Sequence, residues 1–201
     1  MKYVFSNATV LYGEDFEVVN GYVVVEDTTI KEVGEGSYAG KNIDVDGGII
    51  FPSFTNSHVH LGDSVAKDLG AYRDIEERVG KGGIKHKVLE EKSSEVSRAI
   101  EISLRKMLMG GTTVFCDFRE GGLEGINQLK SAIETPMDGI IMGRQDSDSL
   151  DEVLENCDGI GVSSVRDYSE EELDKISKIV KERSKLLGVH VGEVEDDLEK
   201  A

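Results

Sequence analysis

The spacing of apolar residues changes character near residue 48. Before it, residues 3–11, 18–26 and 29–33 are rich in Val, Tyr, Thr and Ile, punctuated by Gly13, Gly21 and the polar step Glu26-Asp27-Thr28. Short β-prone runs with turn residues between them predict a small sheet or β-sandwich segment over residues 1–48. Asp46-Gly47-Gly48 breaks the pattern before the apolar run Ile49-Ile50-Phe51.

From residue 49 to 201 strands and helices are expected to alternate. Residues 49–56 read as a strand. Residues 94–109 read as a helix, because Val96, Ala99, Ile100, Leu104, Met107 and Leu108 recur at the three-and-four spacing of one face, and Gly110-Gly111 ends it. Residues 112–118 are β-branched and aromatic, hence a strand. A helix carried by Ile126, Leu129 and Ile133 is stopped by Pro136. Residues 139–142 form a short strand, 150–155 a short helix and 159–165 another strand. Ser169 and Glu172 make a capping box that opens a helix with Leu173, Ile176, Ile179, Val180 and Leu187 inward. A fifth strand begins over residues 188–191.

This alternation predicts an α/β unit of parallel strands joined by right-handed crossovers. Five such strands fit either an open doubly wound sheet or part of a (β/α)₈ barrel. A dinucleotide-binding version is disfavoured, since no G-x-G-x-x-G follows the first strand. Residues 62–91 are long, polar and Gly-containing, and are expected to form a functional loop.

Charge narrows the partners. The 201 residues carry 40 Asp and Glu against 23 Lys and Arg, a net charge of −17, which repels nucleic acid and anionic membranes. Cys116 and Cys157 belong to no C-x-x-C pair and are expected to be reduced thiols. The first 13 residues lack a secretory pattern, and no window approaches the roughly 20 apolar residues that span a bilayer. A cytoplasmic protein is expected, with a small-molecule substrate and an open possibility of homo-oligomers.

Two of the four histidines form His58-Val59-His60, where the first strand of the alternating part gives way to a loop. Side chains at i and i+2 on a strand share a face, with Cα atoms about 6.6 Å apart, so two imidazoles can converge on one divalent ion. His190 occupies the same place at the fifth strand. The C-terminal ends of strands are where α/β and barrel enzymes keep their sites, and in a barrel strands one and five face each other across the axis. Glu193, three residues beyond His190, offers a carboxylic acid for proton transfer, although Glu193, Glu195, Asp196, Asp197 and Glu199 also read as a solvated acidic tail. His86 is better read as a surface histidine. Asp63, Lys67 and Asp68 either line the mouth of the site or start a solvated helix, and Asp117 either faces the site or caps the loop after its strand.

The run from Asp46-Gly47-Gly48 through Phe51-Pro52-Ser53-Phe54-Thr55-Asn56-Ser57-His58-Val59-His60, the step Gly110-Gly111-Thr112-Thr113, and His190-Val191-Gly192-Glu193 together resemble the amidohydrolase superfamily. The likeness is to its branch with cytosine deaminase, adenosine deaminase and the chlorohydrolase-like enzymes, and it runs through nearly the whole chain. It implies a partial TIM-type (β/α)₈ barrel of about five strands over residues 49–201, preceded by the small sandwich segment. It implies His58, His60 and His190 as ligands of one divalent ion, Zn or Fe, and Glu193 as proton shuttle. Two-metal relatives often carry a lysine on strand four, and residues 158–165 contain none. The implied reaction is metal-dependent hydrolysis or deamination of a C–N bond: an activated water attacks an electrophilic carbon while Glu193 protonates the leaving nitrogen. A full barrel needs about 250 residues, and the family's histidine after strand six and aspartate after strand eight have no counterpart here. A truncated chain, inactive alone, is therefore expected. The competing readings are a two-metal cyclic amidase of the same superfamily and a non-catalytic α/β interaction module.

Overall fold

The computed structural model describes residues 1–80, 82–133 and 136–192. The chain forms two compact units, Met1–Ser53 and Phe54–Ala201. No helix among the described residues is long and apolar enough to cross a membrane.

The first unit is one five-stranded sheet. Strands β1 (Lys2–Tyr12), β2 (Glu17–Glu26) and β3 (Thr29–Glu35) form an antiparallel meander, while β4 (Ile43–Asp44) and β5 (Ile49–Ile50) both pair parallel with β1. Every second residue of β1 from Val4 to Val10 is buried, the period that one covered sheet face imposes. Ala8, Val10 and Val23 form the core, with Val19, Val25, Val33, Val45 and Ile50 packed on it. Asp27, at φ 54°, turns the two-residue link between β2 and β3. The second layer that a sandwich requires is not among the described residues of this unit.

The run expected as a single strand over 49–56 divides. Ile49 and Ile50 pair with Thr9 and Val10 in the first sheet, and pairing in the second sheet resumes only at Phe54. Pro52 lies in the gap, where it has no N–H for a ladder.

The second unit is a five-stranded parallel sheet of β6 (Phe54–Val59), β7 (Thr112–Arg119), β8 (Asp138–Gly143), β9 (Gly159–Val162) and β10 (Leu186–Val189). The strands lie side by side in chain order, β10-β9-β8-β7-β6. A doubly wound sheet reverses its order at a switch point; consecutive order is the pattern of a barrel.

Helices fill the connections: α1 (Ile75–Val79), α2 (Ile84–Glu91), α3 (Ser93–Met109), α4 (Gly122–Ala132), α5 (Leu150–Asn156) and α6 (Glu170–Glu182). The apolar faces of α3 to α6 pack on the sheet. Val96, Ile100 and Leu104 of α3, Ile126 and Leu129 of α4, Val153 and Leu154 of α5 and Phe115 of β7 are almost wholly buried. Each such side chain contributes on the order of 2 kcal/mol by leaving water. Ser149 and Ser169 open α5 and α6 with complete capping boxes.

The segment expected as a long loop over 62–91 is largely helical. A 3₁₀ turn (Leu61–Ala66) is followed by α1 and α2, and α2 buries Lys85 and Val88. One buried apolar position in eight residues is too little amphipathic signal to be seen against the polar composition.

Candidate metal centre

His58 lies in β6, and His60 follows the last residue of that strand; His190 follows the last residue of β10. These are the two edge strands of the sheet. Four strand spacings of about 4.8 Å would hold them roughly 19 Å apart if the sheet were flat. Instead the His190 and His58 Nε2 atoms are 3.1 Å apart, so the sheet curls into half a barrel and brings its edges face to face. His60 Nε2 completes a triangle, 3.2 Å from His58 Nε2 and 3.1 Å from His190 Nε2.

The His190 ring is oriented by its other nitrogen. Nδ1 lies 2.9 Å from the Val162 carbonyl oxygen, which can only accept, so Nδ1 carries the proton and Nε2 presents a lone pair to the triangle. Three ring nitrogens this close cannot all be satisfied by sharing protons among themselves, and a cation relieves them. A circle through the three has a radius of about 1.8 Å, close to the Zn–N bond length of roughly 2.0–2.1 Å, so the residues fit a divalent ion. These three rings are a group whose ligand atoms lie together.

Phe118 of β7 supports the rings. It stacks on His58 with centroids 4.4 Å apart and planes at 19°, and meets His190 edge-on at 4.9 Å. Space for it comes from β9 and β10, where a Cβ at Gly161 or Gly188 would stand 2.8 Å from the Phe118 ring.

On its other side His60 faces a buried cluster of charge. Lys85 Nζ lies 2.5 Å from Glu120 Oε1 and 3.0 Å from Asp63 Oδ2. Arg144 and Arg119 approach Glu120 at 3.4 and 3.9 Å, and His60 Nδ1 is 4.0 Å from Glu120 Oε1. Burial, reinforced by the charge of Lys85, lowers the His60 pKa to about 4 although Glu120 opposes it. Burial raises the Asp63 carboxyl, helped by Glu120. Burial acts on Glu120 in the same sense, but Lys85 and Arg144 outweigh it and hold that carboxyl below its ordinary range. His60, Asp63 and Glu120 could themselves hold an ion, but the Lys85 ammonium already bridges the two carboxylates.

Asp117 neither caps the following loop nor faces the triangle. It is fully buried and accepts from the Leu61 N–H at 2.5 Å, tying the turn after His60 to β7. Burial pushes its pKa up to about 6, with Arg119 opposing. Lys67 and Asp68 are exposed, and His86 is half-buried on α2 outside both groups. Glu193 lies outside the described residues.

The sequence pattern missed Phe118, Arg119, Glu120 and Arg144, although all four sit at the C-terminal ends of β7 and β8, the place that had singled out the histidines. Lys85 carried no signal, being one of several lysines in a polar stretch.

Residues 49–201 match the model of the amidohydrolase family. A protein of Methanothermobacter thermautotrophicus, provisionally named an aminohydrolase, is 34% identical over 207 residues, covering 94% of this chain and 54% of that protein. The 5-methylthioadenosine/S-adenosylhomocysteine deaminase of Clostridium tetani is 25% identical over 210 residues, covering 92% of this chain and 47% of that enzyme. Among solved structures, the zinc complex of atrazine chlorohydrolase from Arthrobacter aurescens superposes with a TM-score of 0.65 at 15% identity, over 95% of this chain and 53% of that one. The chain spans about half the length of the curated relatives it matches.

Proposed function

The chain belongs to the amidohydrolase family, and from that premise we propose that its three-histidine centre serves hydrolytic deamination of a small molecule at a C–N bond. The observation that carries the reading is the Nε2 triangle of His58, His60 and His190, with edges of 3.1 to 3.2 Å. These rings would hold one divalent ion, Zn or Fe, since neutral imidazole suits both. Such an ion supplies a nucleophile at neutral pH by lowering the pKa of a water it binds.

The chain's own residues do the rest. The Val162 carbonyl keeps the His190 lone pair on Nε2. Phe118 covers one side of the rings and braces them. The low pKa of His60 keeps its ring neutral, and so able to act as a ligand, at any pH above about 4. Glu193 is proposed to carry a proton to the leaving nitrogen. The names of the aminohydrolase and adenosine-type deaminase relatives favour an amino-substituted heterocycle, such as an adenine nucleoside, as substrate. β9 carries no lysine, which favours one ion over two.

Elemental analysis of the chelator-free protein, beside a His58→Ala, His60→Ala variant, tests the centre. Ammonia release from 5-methylthioadenosine tests the activity. One ion per chain, lost in the variant, with ammonia released, sustains the reading. An ion without turnover keeps the centre and withdraws the activity from this chain, and absence of an ion withdraws both.

A further inference from the structure

With Nε2 of His60 turned toward the other two rings, Nδ1 is the remaining polar atom of that imidazole. It is buried and has no hydrogen-bond partner. The carboxylate it faces, Glu120, is itself 6% exposed, and its Oε2 is buried without a hydrogen-bond partner. An ionised carboxylate has about four acceptor positions, so Glu120 has capacity to spare for an N–H. Held in low dielectric, it needs counter-charge, and the shortest contact comes from Lys85 at 2.5 Å. That ammonium also reaches Asp63, three residues beyond His60.

The turn between them is packed to match. A Cβ at Gly62 would lie 2.0 Å from the Arg119 guanidinium, so the backbone after His60 lies directly on the residue that precedes Glu120. Lys85 thus joins three pieces of chain: α2, the turn after the paired histidines and the end of β7.

We propose that Lys85 is a positioning residue for the metal centre: it holds the Glu120 carboxylate facing His60 Nδ1, 4.0 Å away in the metal-free chain, so that the two close to an Nδ1–H···O bond when the ring ligates through Nε2, and it thereby sets the orientation of the His60 ring. The proposal rests on the reading of His60 as a ligand through Nε2. A carboxylate partner on the far nitrogen of a ligating histidine holds the tautomer and the ring angle, and its loss typically weakens metal binding about 10- to 100-fold. Without Lys85 the carboxylate loses its closest counter-charge, leaving Arg144 and Arg119 to draw it, and it is no longer held toward His60 Nδ1.

The test titrates the metal-free chain with Co(II) alone and follows its visible absorption. Lys85→Met should weaken binding by at least about tenfold and shift the band, and Lys85→Arg should recover most of both. Glu120→Gln should resemble Lys85→Met, and the double variant should bind no more weakly than either single one, because both act through one carboxylate. Should Lys85→Met fail to fold, judged by near-ultraviolet circular dichroism, Glu120→Gln against the parent carries the same comparison. Unchanged affinity and band in a folded variant would overturn the proposal. If the parent binds no Co(II), the reading of the centre fails instead. Long-range ¹H–¹⁵N spectra of metal-free protein then decide: an Nδ1–H tautomer of His60 that is lost in Lys85→Met sustains the inference, and equal tautomers in both remove it.

Discussion

The imidazole triangle and the charged cluster share one ring, His60, yet they are held by different physics. The triangle is made by strand geometry. A spacing of two residues puts His58 and His60 on one face, and the curl of the sheet brings His190 from the opposite edge. The cluster is made by long-range packing. Its members come from the 3₁₀ turn (Asp63), α2 (Lys85), β7 and the residue after it (Arg119, Glu120) and the residue after β8 (Arg144), and no two of them but Arg119 and Glu120 are sequence neighbours. A ligand set repeats a spacing that chemistry demands. A buried ion network needs only that the charges balance in space, which many sequences satisfy.

The largest expected effect separates the two outright. His58→Ala with His60→Ala should abolish divalent-ion binding, by about a thousandfold or more in Co(II) affinity, while leaving the thermal midpoint of the metal-free chain nearly unchanged, because two of three ligands are gone but few buried contacts are. Lys85→Ala should act chiefly on stability, destabilising the metal-free chain by about 3–5 kcal/mol in urea titration, since it leaves Glu120 buried without its closest partner, while its loss of Co(II) affinity should be about 10- to 100-fold, well short of that of the histidine variant. If both variants moved stability equally, the distinction between the regions would fail.

Acid titration of the metal-free chain sharpens the contrast further. His60 has a folded pKa of about 4 against 6.5 when unfolded, so the unfolded chain binds the extra proton between those values and stability falls as pH drops through that window. Asp117 has a folded pKa of about 6 against 3.8, so the folded chain holds the extra proton there and stability falls as pH rises through 6. The two slopes oppose, with Asp63 acting in the sense of Asp117 and Glu120 in that of His60. The parent should therefore show a shallow dependence between pH 4 and 6. Asp117→Asn, which can still accept from the Leu61 N–H, should unmask a loss approaching about 1.4 kcal/mol per pH unit on acidification. A parent and variant of identical slope would refute the opposition.

The smallest effect is a control on both regions. Ser149→Ala removes the capping box of α5 and should lower stability by about 1 kcal/mol without altering Co(II) affinity, since α5 contributes to neither cluster.

Several parts of the molecule were legible beforehand for local reasons. α3 announces itself through Val96, Ile100 and Leu104 at four-residue spacing, α6 through the Ser169 capping box, and β7 through a β-branched and aromatic run. The paired histidines and His190 were visible because each stands at a strand end. α2 was not legible, for its buried face holds Lys85 and Val88 alone, and neither was the break at Pro52, across which Ile49 and Ile50 join a different sheet.

By itself, then, the order of residues determined most of the strands and helices, α1, α2 and the break at Pro52 apart, and that three imidazoles stand at the ends of the first and fifth strands of the parallel sheet. It left open whether five alternating strands lie flat or curl. Only the tertiary structure decided that, because a sheet's curl has to suit packing between residues far apart in the chain, as where the Phe118 ring lies over Gly161 and Gly188. The same holds for Lys85: its charge is written in the sequence, but its place between Asp63 and Glu120 follows from the packing of α2.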